Sequence, residues 1–318
     1  LYIFTKMRKN MITPKNILVT IMLLIISKLS AYDIKRIEPP FWWAGFNNKK
    51  LQLMVYGKDI SKLTPKINYK GIQINKVHRV DSPNYLFIDL LLKKDKPKKF
   101  TIKFNEAKKT VLKHDYEIFK RQKIGKERET LNSSDVIYLI TPDRYANGDK
   151  KNDEVSSLLE GYDRSNKDGR HGGDIQGIIN NLDYIEDMGF TQIWLNPVLE
   201  NNQADYSYHG YSTTDYYKID PRFGSNKLYQ DLSREGRNRN IGLIKDLVLN
   251  HIGSGHWWMN DLPTDDWLNY QGNYRQTNHI HETVYDPHLP TSQKDLFTEG
   301  WFVETMPDLN QKNPFVAT

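Results

Sequence analysis

Cysteine is absent from the 318 residues of the sequence. Its absence excludes disulfide bonds, cysteine-ligated zinc, iron–sulfur clusters and a thiol nucleophile. Long hydrophobic runs are scarce as well, because the main apolar run, Ile17 to Ile26, has ten residues, whereas a membrane-spanning helix needs about 20. Hydrophobic and aromatic residues still make up 38% and 12% of the chain, which argues against global disorder.

The apolar run Ile17 to Ile26 follows several basic residues and precedes a group of small residues that ends at Ala31. This order is typical of a secretory signal peptide. We therefore predict that residues 1–31 form a signal peptide and that the protein is secreted or periplasmic. A membrane anchor is the alternative, but the run is too short for a stable span. Anchoring at the cell surface is less favoured, because there is no cysteine for lipid attachment.

Basic charge is concentrated in the first part of the chain. Residues 1–131 hold 29 Lys+Arg and 11 Asp+Glu, whereas residues 132–318 hold 16 and 28. Opposite net charges in the two halves support two domains. Removal of residues 1–31 leaves 40 basic and 39 acidic residues. The mature chain would then be almost neutral, so we expect no nucleic-acid partner.

Residues 32–126 contain short runs in which apolar and polar residues alternate between turn-forming residues. This pattern predicts an N-terminal antiparallel β-sandwich, similar to a carbohydrate-binding module. The predicted strands are 51–56, 66–69, 72–75, 85–90 and 100–104. The lysines between 93 and 113 are expected on solvated faces or turns, and residues 127–132 are expected to form a linker. Phe41, Trp42 and Trp43 could form a sugar-stacking platform, although we favour core or interface packing because large aromatic side chains are usually buried.

Strand and helix patterns alternate from residue 133 onward. Apolar runs predict strands at 136–140, 191–195 and 241–249, and apolar residues at helical spacing predict helices at 175–188 and 227–239. Buried strands that alternate with helices indicate a parallel sheet. We predict that residues 133–318 form the first part of an α/β (TIM) barrel, in which residues that follow the strands build the active site.

The number of residues per strand–helix unit predicts that this barrel is incomplete. Each unit takes about 50 residues, so eight units need roughly 400, whereas residues 132–318 number 187. Residues 252–305 show little periodicity and are expected to form a long loop after the third strand, similar to a domain B. We therefore expect the chain to be a fragment that stops before the barrel closes.

Five short motifs lie in order on the predicted elements. Asp-Leu-Val-Leu-Asn-His ends the third strand at 246–251, Tyr-His-Gly-Tyr occupies 208–211, and Met-Pro-Asp-Leu-Asn occupies 306–310. Pro-Pro-Phe-Trp-Trp-Ala-Gly opens the β domain at 39–45, and Pro-Asp-Arg-Tyr-Ala-Asn-Gly-Asp follows the first barrel strand at 142–149. Together they resemble the alpha-amylase superfamily, glycoside hydrolase family 13, and in particular its neopullulanase, cyclomaltodextrinase and maltogenic-amylase subgroup.

Oxygen-rich side chains are clustered in two loops after the first barrel strand. Within a few residues the first loop offers amide and carboxylate oxygens, and the second offers a carbonyl and a carboxylate. Ca²⁺ binds six to eight such hard oxygen ligands. The alternative is an Asn/Asp turn with solvated charges. The resemblance implies that these residues form the subgroup's calcium site, with these ligands: Asn147, Asp149, Asn152, Asp153, Gly172 (through its backbone oxygen) and Asp174.

The resemblance also implies a site for a sugar. Tyr211 would stack under the sugar at the cleaved bond, since an aromatic face matches the C–H face of a pyranose. His251 would hydrogen-bond the same sugar, and Asp246 and Asn250 would support the strand end. Ser212 departs from the pattern, because many subgroup members have aspartate there.

The catalytic carboxylates implied by the family are absent from the sequence. Retaining glycosidases use two carboxyl groups about 5–5.5 Å apart, and in this family they follow the fourth and fifth strands. We therefore assign no catalytic residue and expect both beyond Thr318. The resemblance implies that the full-length parent is an α-glucan glycosidase that cleaves α-1,4 bonds with retention, with α-1,6 bonds as an open alternative. Its substrates would be starch oligosaccharides, pullulan or cyclodextrins, and the present chain is expected to be inactive.

Two other functions compete with this interpretation. A zinc hydrolase could use the histidines between 251 and 288, but their spacing matches no zinc motif and there is no HExxH. A non-catalytic protein that binds starch or maltooligosaccharides would need only the β domain and Tyr211. The subgroup also suggests a homodimer formed through the N-terminal domain.

Overall fold

The computed structural model describes residues 32–94, 96–121 and 131–318. The predicted signal peptide, and residues 127–130 of the predicted linker, lie outside the described residues. The chain divides into two compact units, the first ending at Lys123 and the second beginning at Ile124. In the described ranges no helix is long and apolar enough to cross a membrane.

The first unit is a sandwich of two four-stranded sheets. Its strands are β1 (Arg36–Glu38), β2 (Trp42–Ala44), β3 (Lys50–Tyr56), β4 (Thr64–Ile67), β5 (Ile72–His78), β6 (Tyr85–Leu92), β7 (Lys98–Glu106) and β8 (Lys109–Lys120). The sheet orders are β1-β3-β6-β5 and β2-β8-β7-β4. All pairs are antiparallel except β2 with β8, which is parallel. The predicted antiparallel β-sandwich is confirmed, apart from this parallel edge pair.

One apolar core lies between the two sheets. Leu53, Leu86 and Ile88 enter it from the first sheet, and Ile102 and Phe104 enter it from the second, all at most 1% exposed. Side chains on a strand alternate between its two faces, so Lys103, between Ile102 and Phe104, points away from this core. The alternation therefore explains why lysine-rich strands can still form a well-packed sandwich.

The aromatic segment 41–43 is divided between the core and the surface. Trp42 packs against the core, whereas Phe41 and Trp43 are 37% and 39% exposed. Core packing is thus observed for Trp42 and not for the other two residues, for which interface packing stays a prediction. They make edge-to-face contacts with each other, and Phe41 also contacts Phe119 of β8.

The second unit contains a parallel sheet of order β13-β10-β9. Its strands are β9 (Ile137–Ile140), β10 (Gln192–Leu195) and β13 (Gly242–Lys245), and an antiparallel ribbon joins β11 (Leu199–Glu200) to β12 (Asp215–Ile219). The helices are α1 (Pro142–Tyr145), α2 (Ile175–Asn180), α3 (Leu182–Asp187), α4 (Asn226–Arg237) and α5 (Thr291–Glu299). Strand–helix alternation and three parallel strands confirm the prediction of a partial α/β barrel.

One face of the parallel sheet is covered and the other is open. Ile193, Ile178 and Leu232 are at most 2% exposed in the core between sheet and helices. On the opposite face Leu139 and Trp194 are 56% and 40% exposed. The described strands therefore leave an apolar sheet face in contact with solvent.

Several predicted boundaries differ from those of the structure. The third strand ends at Lys245 instead of Leu249, because it pairs on one side with β10 and has no described neighbour on the other. The predicted helix 175–188 is interrupted at Asn181, whose backbone leaves the helical region. The loop 252–305 contains α5 and two 3-10 turns. Strand β8 was missed because outward charged residues interrupt its apolar alternation.

We predict that Leu53→Ala destabilises the sandwich by about 2–5 kcal/mol, because it removes buried methyl groups and leaves a cavity. Leu53 is fully buried in β3. Urea unfolding followed by circular dichroism measures the loss. Lys50→Ala at the exposed start of the same strand is the control and should change stability by less than about 0.5 kcal/mol. Equal effects of the two substitutions would contradict the assignment of this core.

Candidate functional site

The candidate site lies at the carboxyl end of the parallel sheet. Leu195 of β10 is in register with Ile140 of β9 and with Lys245 of β13. The loops that follow all three strands therefore start at the same edge of the sheet. The loop after β10 reaches Tyr211 through a 3-10 turn (Ser207–His209) and Gly210. Gly210 has φ +82°, and a Cβ there would lie 1.9 Å from the Pro197 carbonyl oxygen, so only glycine fits before Tyr211.

Asp246, which directly follows β13, connects the Tyr211 loop to β10 through hydrogen bonds. Its Oδ2 accepts hydrogen bonds from the Tyr211 hydroxyl and from the Trp194 indole N–H, both at 3.3 Å. Burial, together with the Asp246 charge, raises the pKa of Tyr211 above its usual value. Tyr211 is therefore a neutral donor at neutral pH, and its ring is half-buried with a fixed direction. Trp194 was not assigned to the site from the sequence.

His251 fixes the main chain of the same tyrosine. The imidazole is 6% exposed, and its Nε2 lies 3.0 Å from the Tyr211 carbonyl oxygen. Since a carbonyl oxygen can only accept, Nε2 carries the proton. Burial lowers the pKa of His251, which favours the neutral ring. Its Nδ1 lies 3.4 Å from the Asn250 amide nitrogen, so both ring nitrogens face protein groups.

His209 holds Tyr211 from the other side. Its Nδ1 accepts the Tyr211 backbone N–H at 2.9 Å, which requires an unprotonated Nδ1. Burial lowers the pKa of His209, and the nearby His251 lowers it further. Two neutral histidines thus hold the main chain of Tyr211. The sequence pattern Tyr-His-Gly-Tyr contained this residue, but its spacing carried no signal of that role.

Besides its contact with His251, the side chain of Asn250 forms a hydrogen bond with Asp308. Its amide donates to Asp308 Oδ1 at 2.7 Å, and Asn269 donates to Asp308 Oδ2 at 2.8 Å. Asp308 is 3% exposed. Burial raises the pKa of Asp308 to about 6 even though both amides favour the ionised form. This pair ties the Met-Pro-Asp-Leu-Asn motif to the end of the third strand.

The predicted calcium ligands lie together around Asp174. Its carboxylate accepts the backbone N–H groups of Gly148, Asp149 and Gly177 at 3.1, 2.8 and 2.6 Å, and an amide hydrogen bond from Asn152 at 3.2 Å. Asp174 thereby caps α2 and folds the first loop against it. Two of these four hydrogen bonds go to each oxygen, so Asp174 would exchange one of them to bind a cation.

Two amide oxygens in this loop have no partner. Asn147 Oδ1 and Asn152 Oδ1 are buried and unbonded, although Asn147 donates to Asp153 at 2.7 Å. Burial raises the pKa of Asp153, and the charge of Asp174 adds to this effect. Buried unpaired oxygens beside a carboxylate fit a hard cation. Among the described residues, no three His, Asp or Glu side chains are grouped to hold a metal. A cation in this loop would therefore depend on the amide oxygens.

Gly172 and Asp149 complete the predicted set. Gly172 has φ +82°, and a Cβ there would lie 2.7 Å from Asn147 and Asp153. The side chain of Asp143 shapes this turn by accepting the backbone N–H groups of His171 and Gly172 at 2.9 and 3.3 Å. Asp149 Oδ1 accepts the Lys151 N–H at 3.1 Å. Gly172 therefore lies close to Asn147 and Asp153, whereas the three predicted aspartates, all described residues, are not grouped to hold a metal.

Both units match described protein families. Residues 36–122 match the family described as "Cyclomaltodextrinase, N-terminal", and residues 139–318 match "Alpha amylase, catalytic domain". The chain is 38% identical over 192 residues to the beta/alpha-amylase of Paenibacillus polymyxa, covering 58% of this chain and 15% of that protein. It is 34% identical over 188 residues to the cyclomaltodextrinase of Thermoanaerobacter pseudethanolicus, covering 57% and 30%.

The third relative is neopullulanase 2 of Thermoactinomyces vulgaris, 33% identical over 204 residues, with coverage of 64% and 32%. The chain thus spans about a third or less of these curated relatives. Among solved structures, an alpha-amylase from Anoxybacillus is 36% identical with a TM-score of 0.46, covering 57% of this chain and 35% of that chain. The cyclic alpha-maltosyl-(1-->6)-maltose hydrolase of Arthrobacter globiformis, in complex with maltose, is 29% identical with a TM-score of 0.42, covering 57% and 39%.

We predict that Asp308 makes the second unit less stable as the pH rises from about 4 to 6. Its pKa is about 6 in the folded chain and about 3.9 when unfolded. The folded state therefore binds the proton more tightly, and this stability is present at low pH and is lost as the pH rises through the folded pKa. The slope contributed by one proton is at most about 1.4 kcal/mol per pH unit.

Asp308→Asn should remove this slope, as measured by urea unfolding at several pH values. It should also lower stability at pH 7, because an amide oxygen can replace only one of the two carboxylate acceptors. Exposed Asp183→Asn is the control. An unchanged slope in Asp308→Asn would show that the aspartate does not titrate in this range.

Proposed function

The chain belongs to the alpha-amylase family, and from this membership we propose that the full-length protein is an α-glucan glycosidase. Its substrates would be starch oligosaccharides, pullulan or cyclodextrins, cleaved at α-1,4 bonds with retention of configuration. The observation that carries this proposal is the hydrogen-bonded arrangement of Tyr211, Asp246 and His251. It holds an aromatic ring in one orientation at the carboxyl end of a parallel sheet.

The proposed contribution of this chain to the reaction is to position the sugar. The Tyr211 ring would stack against the C–H face of a pyranose, and its hydroxyl is kept in place by Asp246. His251 would bond the same sugar after exchanging one of its present hydrogen bonds. Tyr211, held by Asp246 at its hydroxyl and by two histidines at its main chain, loses little freedom when the sugar binds, which favours affinity.

No acidic residue of this chain is proposed as nucleophile or acid/base. Asp246 and Asp308 are both engaged in protein hydrogen bonds. We propose that these two catalytic groups come from sequence that follows Thr318. The present chain would then bind glucan without cleaving it, and this is how a purely sugar-binding protein would behave as well.

Sequencing the gene beyond the codon for Thr318 separates the two functions. An enzyme requires an in-frame Gly-x-Arg-x-Asp-like segment within a few tens of residues. We predict that the longer product releases reducing sugar from β-cyclodextrin, pullulan or soluble starch, and that the 318-residue chain releases none. A stop codon directly after Thr318, with a folded and soluble product, would favour the binding protein instead.

In the longer product, Tyr211→Ala should weaken transition-state stabilisation. Loss of ring stacking costs about 0.5–1.5 kcal/mol, so kcat/KM should fall by a factor of about 2 to 13. The exposed Tyr184→Ala on α3 is a matched control. If both variants lose the same activity, Tyr211 has no special role in sugar binding.

We also propose that the loop around Asp174 binds Ca²⁺ through Asn147, Asp149, Asn152, Asp153, Asp174 and the backbone of Gly172. A bound Ca²⁺ would hold the two loops together and neutralise their carboxylates. The buried unbonded oxygens of Asn147 and Asn152 support this proposal.

Calcium should therefore raise the melting temperature of the chain. At 100 times the dissociation constant, binding to the folded state adds about 2.7 kcal/mol. Calorimetric titration measures binding, and a melt with EDTA measures its loss. Asn147→Ala together with Asn152→Ala should abolish both effects, while the exposed Asn166→Ala should not. No heat of binding, and a melt unchanged by EDTA, would refute the site.

A further inference from the structure

Three lysines lie side by side on the outward face of the second sheet of the sandwich. Lys66 of β4 is directly opposite Lys103 of β7, and Lys103 is directly opposite Lys113 of β8. Their neighbours Phe104 and Ile102 point into the core, so the three lysines share the solvent side. Strands are about 4.8 Å apart, and the row therefore spans roughly 10 Å. We name these three residues the lysine ladder.

The charge of the lysine ladder is not compensated within the described residues. None of the three side chains makes an ion pair or a hydrogen bond there. Asp115 is the acidic residue two positions beyond Lys113 on the same face, and it is bonded to Thr101 at 2.7 Å and paired with Lys99 at 3.8 Å. Like charges directly opposite one another on a sheet are destabilising. Repulsion within the ladder therefore lowers the stability of the sandwich, and a bound anion would reduce this repulsion.

A groove adjoins the ladder at Lys66. It has a volume of about 560 Å³ and runs along the connection from β4 to β5. Lys66, Lys70 and Lys93 supply positive charge, and the described residues that line it include no aspartate or glutamate. Asn68, Gln73 and the half-buried ring of Tyr69 also line the groove.

The whole sandwich is strongly basic. Residues 32–121 hold 21 Lys+Arg and 9 Asp+Glu, a net charge of +12. A field of this sign attracts polyanions and raises their local concentration. The ladder and the groove concentrate this charge, and the described residues that line the groove include no acidic group.

We propose that the ladder and its groove bind an anionic polysaccharide, a chain of sugars that carries phosphate or sulfate groups. The lysines would pair with the anionic groups. The amides of Asn68 and Gln73 would match sugar hydroxyls, and the Tyr69 ring would offer an apolar face. This combination favours a sugar polymer over nucleic acid. The proposal concerns the first unit alone and does not depend on glycosidase activity in the second.

The test compares dextran sulfate with uncharged dextran as probes for the 318-residue chain. Binding constants are measured by titration calorimetry at several salt concentrations. The chain should bind dextran sulfate more tightly than dextran, and its affinity for dextran sulfate should fall linearly on a log–log plot against salt. The ladder variant, Lys66→Gln with Lys103→Gln and Lys113→Gln, should lower the slope by about 3, one for each lost contact.

The control variant removes the same charge from elsewhere in the unit, as Lys50→Gln with Lys58→Gln and Lys76→Gln. Its slope should fall by less than about 1. Thermal melts without ligand should show the ladder variant to be at least as stable as the parent chain, because opposed like charges are removed. Equal losses in both variants would overturn the proposal, since binding would then follow net charge alone. Equal affinity for uncharged dextran, or tighter binding of duplex DNA than of dextran sulfate, would also overturn it.

Discussion

Parallel pairing of β10 with both β9 and β13 is the constraint on which the candidate site depends. It sets Ile140, Leu195 and Lys245 in register. Three loops that are far apart in sequence therefore begin side by side. The first loop brings the oxygen-rich residues around Asp174, the second brings Tyr211, and the third brings Asp246 and His251. A shift of one residue in this register would turn every side chain of the strand to the opposite face and separate these groups.

A buried ion pair keeps the second of these loops in shape. Arg222 donates to both oxygens of Asp220 and to the carbonyl oxygens of Glu160 and Asn201. Burial alone would raise the pKa of Asp220, but its hydrogen bonds to Arg222 and the charges of Arg222 and Arg170 lower it. All three nitrogens of the guanidinium group and both carboxylate oxygens take part in hydrogen bonds. Such a pair fixes one conformation, because any other arrangement would leave a buried charge unpaired.

Local sequence patterns predicted the presence of strands and helices better than they predicted the residues at which these elements begin and end. Alternating and helical periodicity identified the sandwich strands 51–56 and 85–90 and the buried strands of the parallel sheet. Strand β8 was missed because its outward positions carry charges, and charged residues resemble a loop. The third strand was predicted too long, since a strand's length depends on its neighbours, which periodicity does not reveal.

The contacts within the site lie beyond the reach of such patterns. Tyr211 and His251 are separated by 40 positions, and Trp194 and Asp246 by 52. Spacing along the chain cannot predict these pairs, and the roles of Tyr211 and His251 came only from resemblance to a family. Trp194, His209 and Asp308 were missed because an indole, an imidazole and a buried carboxylate are more often structural than functional. Their roles depend on partners that the fold brings together.

Unsatisfied groups occur at both proposed binding sites, and buried polar atoms without a partner also occur beside the Asp220–Arg222 pair, at Arg170 Nη2 and Asn201 Oδ1. The Asp220–Arg222 pair is fully bonded, as expected of a group retained for conformation. The loop around Asp174 instead leaves two buried amide oxygens without donors, and the lysine ladder sets three like charges in register. Natural sequences depart from local rules of polar satisfaction and charge pairing mainly where function requires it. A bound cation would satisfy the unpaired amide oxygens, and a bound anion would offset the repulsion between the lysines. Two binding sites of opposite charge on separate units give the most economical account of both.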